Sequence, residues 1–120
     1  MATDWSDDIV IAELSDEPSF SEEMSTIIQR ISQSVKHVPH VVLNMAAVTY
    51  LNSSNLAQLL KLRKTLGEKH RTLKLCSVCD EVTSLFALTG LDKVFRFPPD
   101  PMTALAGIQI ENERDSGRPG

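Results

Sequence analysis

An α/β domain, with a mixed and mainly parallel sheet carrying about four packed helices, is predicted by three features of the sequence. Short β-branched or apolar runs alternate with stretches whose apolar residues recur at helical spacing. One run, His40-Val41-Val42-Leu43-Asn44-Met45, is almost wholly apolar, as in a strand covered on both faces. Neither a solenoid-length repeat nor a low-complexity linker divides the chain, so a single domain over residues 1–110 is expected, followed by a polar tail from Glu111 to Gly120.

The elements follow in order. Ile9-Val10-Ile11-Ala12-Glu13-Leu14 reads as a strand that ends in the turn Ser15-Asp16-Glu17-Pro18. A helix follows, capped by Ser19 or Ser21, with Glu22 and Glu23 suited to its positive end and Met24, Ile27, Ile28, Ile31 and Val35 forming one apolar stripe. Pro39 stops it, and the run from His40 to Met45 is the central strand. After a connector from Ala46 to Asn52, a second helix starts near Ser53 and runs to a stop at Gly67. Thr72 to Ser77 alternates like a half-buried strand, and a third helix runs from Asp80 to Gly90. Lys93 to Phe97 is read as a further strand, and Met102, Leu105, Ala106 and Ile108 as a last helix. Right-handed crossovers would join the parallel strands.

At 120 residues with 42% apolar content, the chain is able to bury a core without staples. No stretch approaches the roughly 18 apolar residues of a membrane span, and the acidic start lacks the basic-then-apolar order of a signal segment, so a cytoplasmic protein with no membrane insertion is expected. A net charge of −4 disfavours nucleic acid as a direct partner. Cys76 and Cys79 have redox or half-zinc spacing, but no second cysteine pair exists and His37, His40 and His70 form no ligand motif with them; packing is the expected role, with no metal and no cofactor. No glycine-rich phosphate loop, carboxylate pair or Ser-His-Asp constellation assembles, so no catalytic residue is nominated and the chain is not expected to be an enzyme. Trp5 and Phe20 read as edge packing, and Asn44 as a satisfied turn residue.

Three separated segments carry a resemblance when taken in order: Val42-Leu43-Asn44-Met45, then Val48-Thr49-Tyr50-Leu51-Asn52-Ser53-Ser54-Asn55-Leu56, then Leu85-Phe86-Ala87-Leu88-Thr89-Gly90-Leu91-Asp92-Lys93-Val94-Phe95. Together they resemble the STAS domain of bacterial anti-sigma factor antagonists. The resemblance implies a non-enzymatic signalling module in transcription regulation, whose partner is an anti-sigma factor that is also a serine kinase. It also implies an Asp-Ser-Ser-Gly turn at a helix start, with the first serine phosphorylated to end binding. That acceptor falls on Ser53, with Ser54 the fallback; Asn52 stands at the acidic position and Asn55 at the glycine position. Asn52 keeps hydrogen bonding without the charge, and Asn55 adds a side chain where a kinase surface would approach the backbone.

The residues alone describe the same place. A serine before a helix is ordinarily an N-cap, yet unsatisfied N–H groups and the helix dipole also accommodate a phosphate there, which adds about −1.5 to −2 charges. Asn52, Ser53, Ser54, Asn55, Leu56, Lys61 and Arg63 form the expected partner surface. Lys61, Arg63, Lys64, Lys69, His70 and Arg71 would suit an acidic partner or simply a solvated face. The alternative is a phosphorylation-independent accessory subunit, for example of a lipid-transport ATPase.

Overall fold

The structure, a computed structural model, describes residues 3–5, 9–33, 38–95, 97, 102–103 and 106–108; of residues 3–5 it describes the backbone. Four strands form one sheet in the order β1 (Thr3–Trp5), β2 (Ile9–Ser15), β3 (His40–Ala47) and β4 (Leu73–Cys76). β1 runs antiparallel to β2, while β2, β3 and β4 are mutually parallel. Helix α1 (Ser19–Gln33) joins β2 to β3, α2 (Ser53–Glu68) joins β3 to β4, and α3 (Asp80–Thr89) leads into a 3-10 turn at Leu91–Lys93. Parallel neighbours require such crossovers, so the α/β expectation and the topology have one cause.

Alternation along the strands divides the core. Val10, Ala12 and Leu14 of β2, Val41, Leu43 and Met45 of β3, and Leu73 and Leu75 of β4 pack with Phe20, Met24, Ile27 and Ile31 of α1, Leu59, Leu62 and Leu66 of α2, and Val82 and Phe86 of α3. The residues between them point the other way, where Val42 and Cys76 meet Ile108 with Ile9 and Ile11 alongside. Residues 102–103 and 106–108 are helical, so a last helical segment does cover the second face. Phe20 is wholly inside the core rather than at an edge.

Several local readings change. Thr72 to Ser77 is not half-buried: all of Leu73–Cys76 is buried, Lys74 included, because the C-terminal segment lies over the polar face of β4. A Cβ at Gly107 would collide with the Lys74 amine. α2 passes through Gly67 to Glu68, and its left-handed residue is His70 (φ 59°). The Arg71 N–H donates to Leu66 O and the His70 N–H to Gly67 O, the paired bonds of a Schellman ending in which histidine occupies the usual glycine position. α3 ends as expected at Gly90, φ 76°.

Lys93 to Phe95 is not a strand. The chain after Gly90 tightens into the 3-10 turn, and Phe95 and Phe97 sit against the Phe86 ring at centroid separations of 5.6 and 5.2 Å, so this apolar run packs under α3 instead of pairing. Serines do not cap α1 with their side chains; the Glu17 carboxylate accepts the Ser21 N–H at 2.6 Å. Val35, Leu105, Arg96 and the tail from Glu111 lie outside the described residues.

Leu59 is fully buried between α2 and the sheet. Leu59→Ala is expected to cost about 2–5 kcal/mol, read as a lowered urea midpoint with little change in slope.

Candidate functional site

The chain leaves β3 through a connector, Val48–Leu51, that is pinned at both ends. Val48 and Leu51 are buried, and the Val48 N–H donates to Met45 O at 2.9 Å. Between them Thr49 is held from across the sheet: its N–H and hydroxyl donate to the two oxygens of Asp16 at 2.8 and 2.6 Å. Tyr50 is left half exposed at 50%.

α2 then begins with a reciprocal cap. The Asn52 side chain accepts the Asn55 N–H at 2.8 Å, and the Asn55 side chain accepts the Asn52 N–H at 3.1 Å. Asn52 is the N-cap, with φ −98° and ψ 177°, so Ser53 is the first helical residue and not the cap. Two asparagines do here what Ser/Thr and Glu/Gln do in the usual capping box. The box satisfies the amides of Asn52 and Asn55 and leaves those of Ser53 and Ser54 without an intrahelical acceptor. Both serines are exposed.

Asn55 does not present bulk outward. It is 1% exposed, in line with Leu59, Leu62 and Leu66 on the buried stripe of α2. Its Oδ1 serves the cap, and its Nδ2 is buried without a hydrogen-bond partner. Leu56 is partly buried against the core, so among the seven residues of the expected surface Asn55 and Leu56 act from beneath.

Two carboxylates border the site. Burial is the largest influence on Asp16 and raises its pKa, but donation from the Thr49 hydroxyl, Thr49 N–H and Tyr50 N–H outweighs it, and the net shift is downward from 3.8. Glu17 is lowered chiefly by the Ser21 hydroxyl and then the Ser21 N–H, against some desolvation, with the Asn55 amide adding a little. Both are therefore anionic at neutral pH.

The basic residues separate. Ser53, Ala57, Leu60 and Lys64 succeed one another at helical steps along the outer face, where Leu60 is 39% exposed. Lys61 lies toward α1, lining a cleft of about 320 Å³ with Ser25, Gln29, Ser32 and Gln58. Arg63 lies on the opposite flank, where its Nε donates to Val94 O at 3.1 Å and braces the 3-10 turn. Arg71 donates to Val38 O. The two cysteines have separate occupations, Cys76 Sγ toward Leu43 O and Cys79 Sγ toward Val48 O. Asn44 accepts the Ala46 N–H at 3.0 Å from within β3.

Asp16, Glu17 and Thr49 went unnoticed as site residues. A signal for them existed: neighbouring parallel strands deliver their following loops to the same end of the sheet, so the polar turn after β2 must lie beside the connector after β3.

Because the folded pKa of Asp16 is depressed, its contribution is complete above pH 3.8 and is lost as pH falls through the folded value. Asp16→Asn is expected to cost about 1 kcal/mol at pH 7, and thermal unfolding at descending pH should show the gap to the parent closing below pH 3.8. Asn55→Gly, which removes one half of the capping box and places glycine in a helix, is expected to lower stability by about 1–2 kcal/mol in the same assay.

Residues 2–104 match the STAS domain. Among solved structures, the chain is similar to an anti-sigma-factor antagonist (STAS) domain protein from Planctomyces limnophilus, with 17% identity, TM-score 0.73, and coverage of 90% of this chain and 97% of that one. It is similar too to the anti-sigma factor antagonist SpoIIAA in its unphosphorylated form, at 15% identity and TM-score 0.68 over 99% and 98% of the two chains. A sulfate transporter family protein from Wolinella succinogenes shares the fold at 19% identity and TM-score 0.71, covering 88% of each. With the family match spanning nearly the whole chain and the strand-to-helix junction at Ser53 in place, the protein belongs to the STAS-domain family.

Proposed function

We propose that this protein is a non-catalytic interaction module of the anti-sigma factor antagonist type, which binds an anti-sigma factor with serine kinase activity through the start and outer face of α2 and is released by phosphorylation of Ser53. The observation that carries the reading is the exposed position of Ser53 as first residue of α2, beside two unsatisfied backbone amides and on a face with Leu60 and Lys64. A helix start of this kind accepts a phosphate without unfolding. The outer face combines the exposed apolar Leu60 with the cation Lys64, so a partner surface with a small apolar recess and acidic surroundings is complementary to it. A phosphate placed in such an interface meets acidic groups and disrupts binding while the domain stays folded.

Asn52 and Asn55 keep the helix start intact without the acidic and glycine residues of the family pattern, and this supports a second reading: a STAS subunit that holds a constant partner without a phosphate cycle, as a lipid-transport ATPase accessory subunit would. The similarity to a sulfate transporter family protein points the same way. The two readings differ in what ATP does.

Incubation with the anti-sigma kinase encoded in the same genome and ATP, followed by peptide mass analysis, is expected to place one phosphate on Ser53; a stable complex without phosphate selects the constant-partner reading. Ser53→Asp is expected to weaken the complex on the order of a hundredfold by titration calorimetry, and Leu60→Asp by at least tenfold, with unchanged thermal stability of the free protein.

A further inference from the structure

Two adjacent exposed serines stand at the start of α2, and a switch of the kind described uses one. We propose that Glu17 selects between them: its fixed carboxylate disfavours a phosphate on Ser54 and leaves Ser53 as the acceptor. The inference rests on the phosphorylation reading above and adds to it a specificity-determining residue outside α2.

Glu17 is not a freely swinging surface acid. Its carboxylate takes both the N–H of Ser21, at 2.6 Å, and the Ser21 hydroxyl. Ser21 is joined to α2 through its carbonyl, which accepts from Gln58 Nε2 at 3.4 Å, its one hydroxyl proton being given to Glu17. The buried Nδ2 of Asn55 is without a hydrogen-bond partner, and the Asn55 amide adds a little to the lowering of the Glu17 carboxyl. Glu17 therefore lies against the flank of α2 that carries Asn55 and Gln58, and two hydrogen bonds would have to be given up for it to leave.

Helical spacing divides the serines around this charge. Ser54 precedes Gln58 by one turn and so shares its flank, about 100° around the helix from the buried Asn55. Ser53 shares the outer face with Ala57 and Leu60, with the body of the helix between it and Glu17. A phosphate on Ser54 brings about −1.5 to −2 charges to the flank where the Glu17 carboxylate is hydrogen-bonded, whereas one on Ser53 meets mainly the free amides of the first turn.

The test uses aspartate as a charge probe in the full chain. At low salt, Ser54→Asp is expected to melt about 2 °C below Ser53→Asp, a gap that shrinks as salt is added and disappears in the Glu17→Gln background. Absence of a gap, a gap indifferent to salt, or one that survives Glu17→Gln would overturn the proposal; a Ser54→Asp protein more stable than Ser53→Asp would mean that the Asn55 amide welcomes the charge, with the same result. Should Glu17→Gln fail to fold, the salt dependence in the parent chain decides. With the kinase and ATP, peptide mapping is expected to find phosphate on Ser53 alone in the parent and on both serines in Glu17→Gln, whereas phosphate confined to Ser53 in both proteins counts against selection by Glu17. Phosphate on neither serine sinks the switch reading instead, and the melting comparison still decides the role of Glu17.

Discussion

The rotation of α2 about its own axis is the constraint on which the site depends. Leu59, Leu62 and Leu66 are wholly buried, and together they leave the helix one orientation against the sheet. Asn55 extends that stripe by one turn toward the N-terminus, and once it faces inward Ser53 has to face outward. The hydrophobic effect therefore acts here on direction as much as on stability. Turning α2 by a single residue would swing Ser53 about 100° from its present direction and expose a leucine.

A polar side chain on such a stripe is costly to bury unless its hydrogen bonds are met. Asn55 meets that requirement in part, through the reciprocal cap with Asn52, and its Nδ2 is left without a hydrogen-bond partner. The connector is secured from the turn after β2 by Asp16. Two segments distant in sequence, the turn after β2 and the connector after β3, are thus joined by charge-assisted hydrogen bonds, which are stronger than neutral ones, while the neutral cap of Asn52 and Asn55 sets the first turn of α2 that follows.

How much of this was legible in the sequence follows from which contacts are local. The buried stripe of α1, the continuous run of β3 and the glycine after α3 all express periodicity or local backbone preference, and each lies where that reasoning puts it. β1 was not foreseen because Thr3-Asp4-Trp5 has no strand pattern of its own and is ordered by pairing with β2. Lys93 to Phe95 has the composition of a strand, but Phe86 competes for its rings. Asn55 looked like an outward obstacle because it was judged against a glycine; its spacing from Leu59, which a helical wheel contains, indicates the interior. Glu17 and Asp16 depend on a contact between loops, which periodicity does not encode.

β3 has neighbours on both edges and cover on both faces, Leu43 and Met45 toward the helices and Val42 toward Ile108. Backbone amides in such a strand exchange with solvent through the rarest and most extensive openings of a domain. The serines are thus carried just beyond the end of an inner strand covered on both faces, only a short connector away. A charge placed there, as by Ser53→Asp, would change what the surface attracts rather than loosen the fold beneath.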